Sequence, residues 1–291
     1  MQTLEIALDD TTLVVDVGGP TKGPLALCLH GFPDTRFTWR YLMPHLAERG
    51  WRVAAPNLRG YAPSTVATSG NYRVAALADD AIALHDRLEG DENALLIGHD
   101  WGASATYAAI NGAPERWSKA VTFAVPPLSA MAGGLSNYEQ LRRIWYMFFF
   151  QSPLADFTVP VDDYAFIKGL WRDWSPGYDG HLDADHVIKA LTNPENLSAA
   201  LGYYRAMFGN SVVAEETKHD YIQANIANIP SQPVLYLHGE NDGCLAKSAI
   251  SNPLDFLSPT SKMVYVKNAG HFLHLEQPTE IHEHIDSFLG E

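Results

Sequence analysis

Three residues have types and settings suited to nucleophilic chemistry, and they follow one another along the chain as Asp100, Asp242 and His271. Asp100 stands in the middle of Gly98-His99-Asp100-Trp101-Gly102. Residues 94–97, all apolar, read as a short buried strand before it, and an Ala-rich helix follows through Ala103, Ala105, Ala108 and Ala109. Glycines at 98 and 102 permit a tight strand-to-helix turn, where a Cβ would collide with neighbouring backbone. This is the pattern of the G-x-S-x-G nucleophile elbow, with aspartate where serine would stand. A carboxylate held on such a turn attacks carbon and leaves an ester, so the first expectation is an ester-forming hydrolase. The plain alternative is that Asp100 only caps the helix, a task that suits aspartate. Five residues alone do not separate the two readings.

An elbow nucleophile needs a base, a group that orients the base, and donors for the oxyanion. The acid is expected after a strand, and Leu235-Tyr-Leu-His-Gly-Glu-Asn-Asp242-Gly243 supplies one, with Glu240 as a competitor two residues earlier. The histidine is expected after the next strand, and Val266-Lys-Asn-Ala-Gly270-His271-Phe272 supplies it. The chain has twelve histidines, so any single one is weak evidence. An ordered set of three, each at the carboxyl end of its own strand, is a much stronger signal. The oxyanion donors are expected to be backbone amides of Trp101 and Phe32. His30-Gly-Phe-Pro would also serve as an ordinary turn.

The elements that must position these residues follow a rhythm. Residues 3–17 alternate and end in Gly18-Gly19-Pro20, which predicts an antiparallel hairpin at a sheet edge. Residues 24–29 form an apolar run suited to a strand buried on both faces. Helix at 39–49, strand at 51–55, helix at 72–88, the elbow strand and helix, and strand at 120–125 follow in alternation. That alternation means βαβ units and a mostly parallel sheet. After Pro127 it stops. Helical patterns rich in aromatics take over at 138–151, 163–174, 183–191 and 195–208, and Asn193-Pro194 is a good helix entry. Strands return at 233–237 and 262–266, and a helix at 279–289 ends the chain. We therefore expect a core of residues 1–127 and 230–291, with an all-helical cap at 128–229.

A chain of 291 residues buries enough surface to need no disulfide or metal staple. The formal charge of −14 argues against nucleic acid, whose phosphates require a basic face, and against an anionic membrane surface. Cys28 and Cys244 make no disulfide framework, and Cys28 in its apolar run is expected in the core. The first ten residues lack a basic region and an apolar region, so no signal peptide is expected, and a reducing cytoplasm fits. No apolar run is long enough to span a bilayer.

With these residues in place, the sequence resembles the α/β-hydrolase superfamily. It is most similar to the branch with an aspartate nucleophile, the soluble epoxide hydrolases and haloalkane dehalogenases. The resemblance covers the whole chain. It rests on His30-Gly31-Phe32-Pro33-Asp34, Gly98-His99-Asp100-Trp101-Gly102, Ala269-Gly270-His271-Phe272 and Glu276-Gln277-Pro278. It implies an α/β fold with a mostly parallel eight-stranded sheet, helices on both faces and the cap inserted after the sixth strand. It also implies that Asp100 attacks substrate carbon while His271, backed by Asp242, activates water against the ester. In the epoxide hydrolases two cap tyrosines supply protons. Trp145-Tyr146-Met147-Phe148-Phe149-Phe150-Gln151-Ser152-Pro153 resembles the first tyrosine motif and points to Tyr146. Leu201-Gly202-Tyr203-Tyr204-Arg205 resembles the second and points to Tyr204. Tyr203 and Tyr204 lie about 100° apart on a helix, so only one can face the nucleophile. Packing against aromatic pocket walls is the bland role for these rings. A dehalogenase would bind halide instead. Trp101 fits both branches, but Phe32 stands where many dehalogenases carry asparagine. The expected substrates are a small apolar epoxide and water, with no cofactor and no metal, and a homodimer stays open. A non-catalytic binding member of the fold is the third reading, and the filled catalytic positions speak against it.

Overall fold

The computed structural model describes residues 1–209, 225 and 227–290. Eight strands form one sheet in the order β1-β2-β4-β3-β5-β6-β7-β8. β1 (Gln2–Ala7) and β2 (Thr12–Gly18) pair antiparallel as the edge hairpin. β2 also runs antiparallel to β4 (Arg52–Pro56). β3 (Leu25–Leu29), β5 (Ala94–His99), β6 (Trp117–Phe123), β7 (Val234–Gly239) and β8 (Lys262–Val266) continue parallel from β4.

The apolar runs are explained by burial on both faces. Leu25, Leu27 and Leu29 of β3 point into one cluster with α2 (Val74–Arg87) and α3 (Trp101–Gly112). Ala26 and Cys28 point into the other, with α1 (Leu42–Glu48) and the C-terminal helix Pro278–Leu289. Leu96 and Leu95 divide in the same way on β5, as do Tyr236 and Leu235 on β7. Period-two alternation thus puts an apolar residue on each face, and the sequence reads as a continuous run.

β3 lies between β4 and β5, so the chain leaves it on one side and returns on the other. Such a reversal opens a crevice at the carboxyl ends of the strands, where ligands bind in open α/β sheets. The loop after β3 and the turn after β5 both end there.

Between β6 and β7 the described residues contain helices and no strand. After two short 3-10 turns (Leu128–Met131 and Gly134–Ser136) come α4 (Tyr138–Arg143), α5 (Trp145–Phe149), α6 (Leu154–Thr158), α7 (Val161–Trp174), α8 (His181–Leu191) and α9 (Pro194–Met207). The end of the expected cap, residues 210–224 and 226, lies outside the described residues. α9 starts as its sequence suggests, with the Asn193 side chain accepting from Glu195 N and Pro194 in the first turn. The cap shares the core of the sheet's α2/α3 face through Tyr146, Phe150, Trp174, Tyr203 and Tyr204.

Some boundaries differ from expectation. β6 begins at Trp117, three residues before the expected start, and α6 is an additional short helix. The single helix expected at 138–151 is broken at Ile144 (φ −95°, ψ 14°). α4 carries Gln140, which donates through Nε2 to Cys244 O (3.0 Å) and accepts from Ala246 N (2.8 Å). α5 buries Tyr146 among aromatic rings. A break between them lets each segment present its own residue to its own partner.

Candidate active site

The elbow is built from close backbone approach. A Cβ on Gly98 would lie 2.2 Å from Gly102 O, and one on Gly102 would lie 2.0 Å from Leu29 O. Neither position has room for any residue but glycine. Asp100, pinned between them, adopts φ 53° and ψ −116°, a conformation that non-glycine residues rarely hold. Its side chain makes no capping hydrogen bond to α3, so the capping role is not the one it plays. Instead Oδ1 accepts a hydrogen bond from Phe32 N at 2.7 Å. Gly31 makes this approach possible, because a Cβ there would stand 2.4 Å from Asp100 Oδ1 and 2.7 Å from Trp101 N. The Trp101 amide opens α3, where an N–H has no acceptor within the helix.

His271 is fully buried on the loop after β8 and makes two contacts of different kinds. Nδ1 lies 3.0 Å from Asp242 Oδ2 in a hydrogen bond. Nε2 faces Asp100 Oδ2 at 3.6 Å and has no hydrogen-bond partner among the described residues. Asp242 is itself fixed, its Oδ1 accepting from Cys244 N (2.7 Å) and Leu245 N (2.8 Å). The competitor Glu240 is exposed. Burial works against a charged His271 ring. The adjacent carboxylates, Asp242 foremost and then Asp100, outweigh it and raise the imidazole to about 10. Burial also pushes Asp242 up, but the His271 charge prevails and holds its carboxyl below the usual range. The surroundings of the ring thus favour its protonated form.

Above Asp100 the cap contributes aromatic rings. Tyr204 stands edge-on to Trp101 (5.1 Å between centroids), Phe32 (5.2 Å) and Tyr146 (5.6 Å). Its hydroxyl is buried and has no hydrogen-bond partner among the described residues. The Tyr146 hydroxyl lies 3.4 Å from Cys244 Sγ. Burial raises both phenols well above their ordinary range, and the Asp100 charge adds to this. Tyr203 points elsewhere: its hydroxyl donates to Arg59 O (2.8 Å) and its ring stacks on Tyr72. The seven residues singled out in the sequence, Phe32, Asp100, Trp101, Tyr146, Tyr204, Asp242 and His271, therefore converge on one point.

Other participants were given no role by the sequence, although Asp34, His99 and Glu276 stand in its motifs. Trp174 O accepts from both Gly243 N and His271 N (3.0 Å each), so the end of α7 ties together the two loops bearing Asp242 and His271. A backbone carbonyl leaves no mark in a sequence. Glu276 accepts from Gly270 N through both oxygens (2.9 Å) and from Ser175 Oγ (2.6 Å), which steadies the His271 loop. His99 Nε2 lies 3.0 Å from His271 O, beneath the elbow. Its Nδ1, with Asp34 Oδ2 and His274 Nδ1, is buried and without a hydrogen-bond partner among the described residues. One donor atom from each of the three side chains lies within 4.8 Å of the other two.

Comparison with known proteins agrees with this architecture. Residues 24–162 match the family described as alpha/beta hydrolase fold. The AB hydrolase superfamily protein YfhM of Bacillus subtilis is 28% identical over 282 residues, covering 96% of this chain and 94% of that protein. Epoxide hydrolase A of Mycobacterium tuberculosis is 28% identical over 310 residues, covering 95% of this chain and 93% of that protein. The crystal structure of Bacillus megaterium epoxide hydrolase in complex with an inhibitor superposes with a TM-score of 0.83. The match covers 99% of this chain and 100% of that one at 23% identity, a likeness of fold. The sheet order, the elbow and the family match give this chain the α/β-hydrolase fold. Within that class it resembles the epoxide hydrolases.

Proposed function

We propose that the protein is an epoxide hydrolase that opens an apolar epoxide to a vicinal diol through a covalent ester on Asp100. The observation that carries this reading is the split environment of the Asp100 carboxylate beneath a partnerless phenol. Oδ1 is held by Phe32 N, Oδ2 faces His271 Nε2, and the Tyr204 hydroxyl has no partner among the described residues.

In this reading Oδ2 attacks an epoxide carbon, the epoxide C–O bond breaks, and the departing oxygen takes a proton from a cap tyrosine. Proton transfer of this kind contributes on the order of a hundredfold or more. Esterification removes the charge of Asp100. One of the two carboxylates that hold His271 protonated is then gone, so the ring gives its proton up to solvent more readily and can act as a base. Neutral Nε2 takes a proton from water, and the hydroxide attacks the ester carbonyl. Charge then develops on Oδ1, where the Phe32 amide already stands. One such donor is worth about 3–4 kcal/mol. Collapse of this intermediate releases the diol. Asp242 keeps the ring oriented and stabilises it when it is charged again. The names of the relatives support the choice of epoxide over halide. So does Phe32, whose side chain offers no donor to a halide.

The test is a panel pairing styrene-oxide-like epoxides with matched bromoalkanes, scored for diol and for bromide. Diol from the epoxides and no bromide is the expected result. Bromide release without diol would assign the same ester chemistry to a dehalogenase.

A further inference from the structure

The mechanism leaves one nucleophilic side chain at the site without a task. Cys244 is two residues beyond the triad acid, and its thiol is buried. Its backbone is held on both sides: N donates to Asp242 Oδ1 (2.7 Å) and O accepts from Gln140 Nε2 (3.0 Å). The side chain then has a fixed origin, and Sγ lies 3.4 Å from the Tyr146 hydroxyl. The Tyr204 hydroxyl makes no hydrogen bond of ordinary geometry among the described residues, where its neighbours are Trp101 and Tyr146 and it has no thiol partner. The two phenols are thus unequal, although a pair of tyrosine motifs suggests equal partners.

Resting on the epoxide hydrolase reading above, we propose that Cys244 is the positioning residue of Tyr146. Either group can donate in the free enzyme, and once the phenol turns its proton to the epoxide oxygen the S–H donates to the phenol oxygen in return. Burial, and then the charges of Asp242 and Asp100, push the thiol's ionisation up and outweigh the opposing hydrogen bond from Tyr146, so it keeps its proton. The proton balance is simple. The Tyr146 O–H bond breaks as the new O–H of the ring-opened product forms, and a phenolate remains until solvent returns its proton. The thiol never ionises. Its hydrogen bond, weak to a neutral phenol, strengthens when the acceptor becomes an anion. An interaction that strengthens only as the reaction proceeds accelerates it. Tyr146 is then the principal proton donor, and Tyr204 contributes a hydrogen bond to the same oxygen.

The experiment is a double-mutant cycle read on the single-turnover rate of ester formation, with thermal unfolding of every variant as a check on folding. Cys244→Ala keeps the backbone N–H that holds Asp242, so hydrolysis of the ester should be unchanged. Ester formation should slow by about three- to tenfold, the usual weight of one modest hydrogen bond. Cys244→Ser, which restores a donor, should recover the rate. In a Tyr146→Phe background Cys244→Ala should have no further effect, while in a Tyr204→Phe background it should keep its full effect or exceed it. An equal loss in the Tyr146→Phe background, or a serine variant as slow as alanine, would reduce Cys244 to packing and overturn the proposal. Tyr146→Phe forming ester at the wild-type rate would instead remove Tyr146 from the mechanism, and the Cys244 proposal would go with it.

Discussion

Asp100 has two oxygens in different surroundings, and in the proposed mechanism that difference divides the work between them. Oδ1 has a backbone donor before any charge develops, and Oδ2 faces the buried His271 ring, 3.6 Å away. The base is needed in the second half-reaction alone. His271→Gln should therefore still form the ester and fail to hydrolyse it. Intact-protein mass spectrometry after a brief exposure to epoxide should show the mass of one bound substrate on the peptide containing Asp100. A variant that turns over normally, or never gains mass, would be incompatible with this role for His271. Asp100, Asp242 and His271 were legible in the sequence because each follows a run of strand residues in the order the chemistry needs. Tyr204 was preferred to Tyr203 only through resemblance, and the difference between them is tertiary: Arg59 O engages the Tyr203 hydroxyl. Cys244 gave no signal for its contact, since nothing local relates it to Tyr146.

Elements place these residues through two kinds of contact, one recorded in local sequence and one not. The elbow is recorded locally. At Gly102 an added Cβ would stand 2.0 Å from Leu29 O, so α3 would have to lift from β3. Gly102→Ala should cost at least about 3 kcal/mol, the upper range for overpacking, because the obstacle is backbone. Urea denaturation monitored by tryptophan fluorescence would measure it, and a loss under about 1 kcal/mol would mean that the turn yields far more readily than its close backbone contacts imply. The sheet was legible for a similar reason, since strands buried on both faces have to be apolar throughout. The cap was less so. Helical periodicity runs through residues 138–151, yet the helix breaks at Ile144. Gln140 answers to Cys244 and Ala246, a hundred residues away. A window of sequence cannot contain such partners. α6 was missed because five residues are too few to show a period.

The whole molecule brings a charged histidine and two carboxylates into one buried site, which ties stability to pH. The His271 ring is raised to about 10, mainly by Asp242 against the opposing effect of burial. A group raised above its unfolded value of about 6.5 contributes fully below that pH, and its contribution is lost as pH rises through about 10. The melting temperature of wild type relative to His271→Gln should therefore hold between about pH 6 and 7 and fall steadily towards about pH 10. A constant difference across that range would mean that the imidazolium is not held by its carboxylates. At the same scale, the formal charge of −14 speaks against nucleic acid, and no helix among the described residues is long and apolar enough to cross a membrane. The central claim is that oxygen in the diol comes from Asp100, not directly from water. One turnover of excess enzyme in heavy-oxygen water tests it most directly. The account predicts an unlabelled first-turnover diol and label on the Asp100 carboxylate, because water attacks the ester carbonyl and the diol leaves with the original Oδ2. Label in the first-turnover diol, with Asp100 unlabelled, would show water attacking the epoxide itself and would contradict the covalent mechanism.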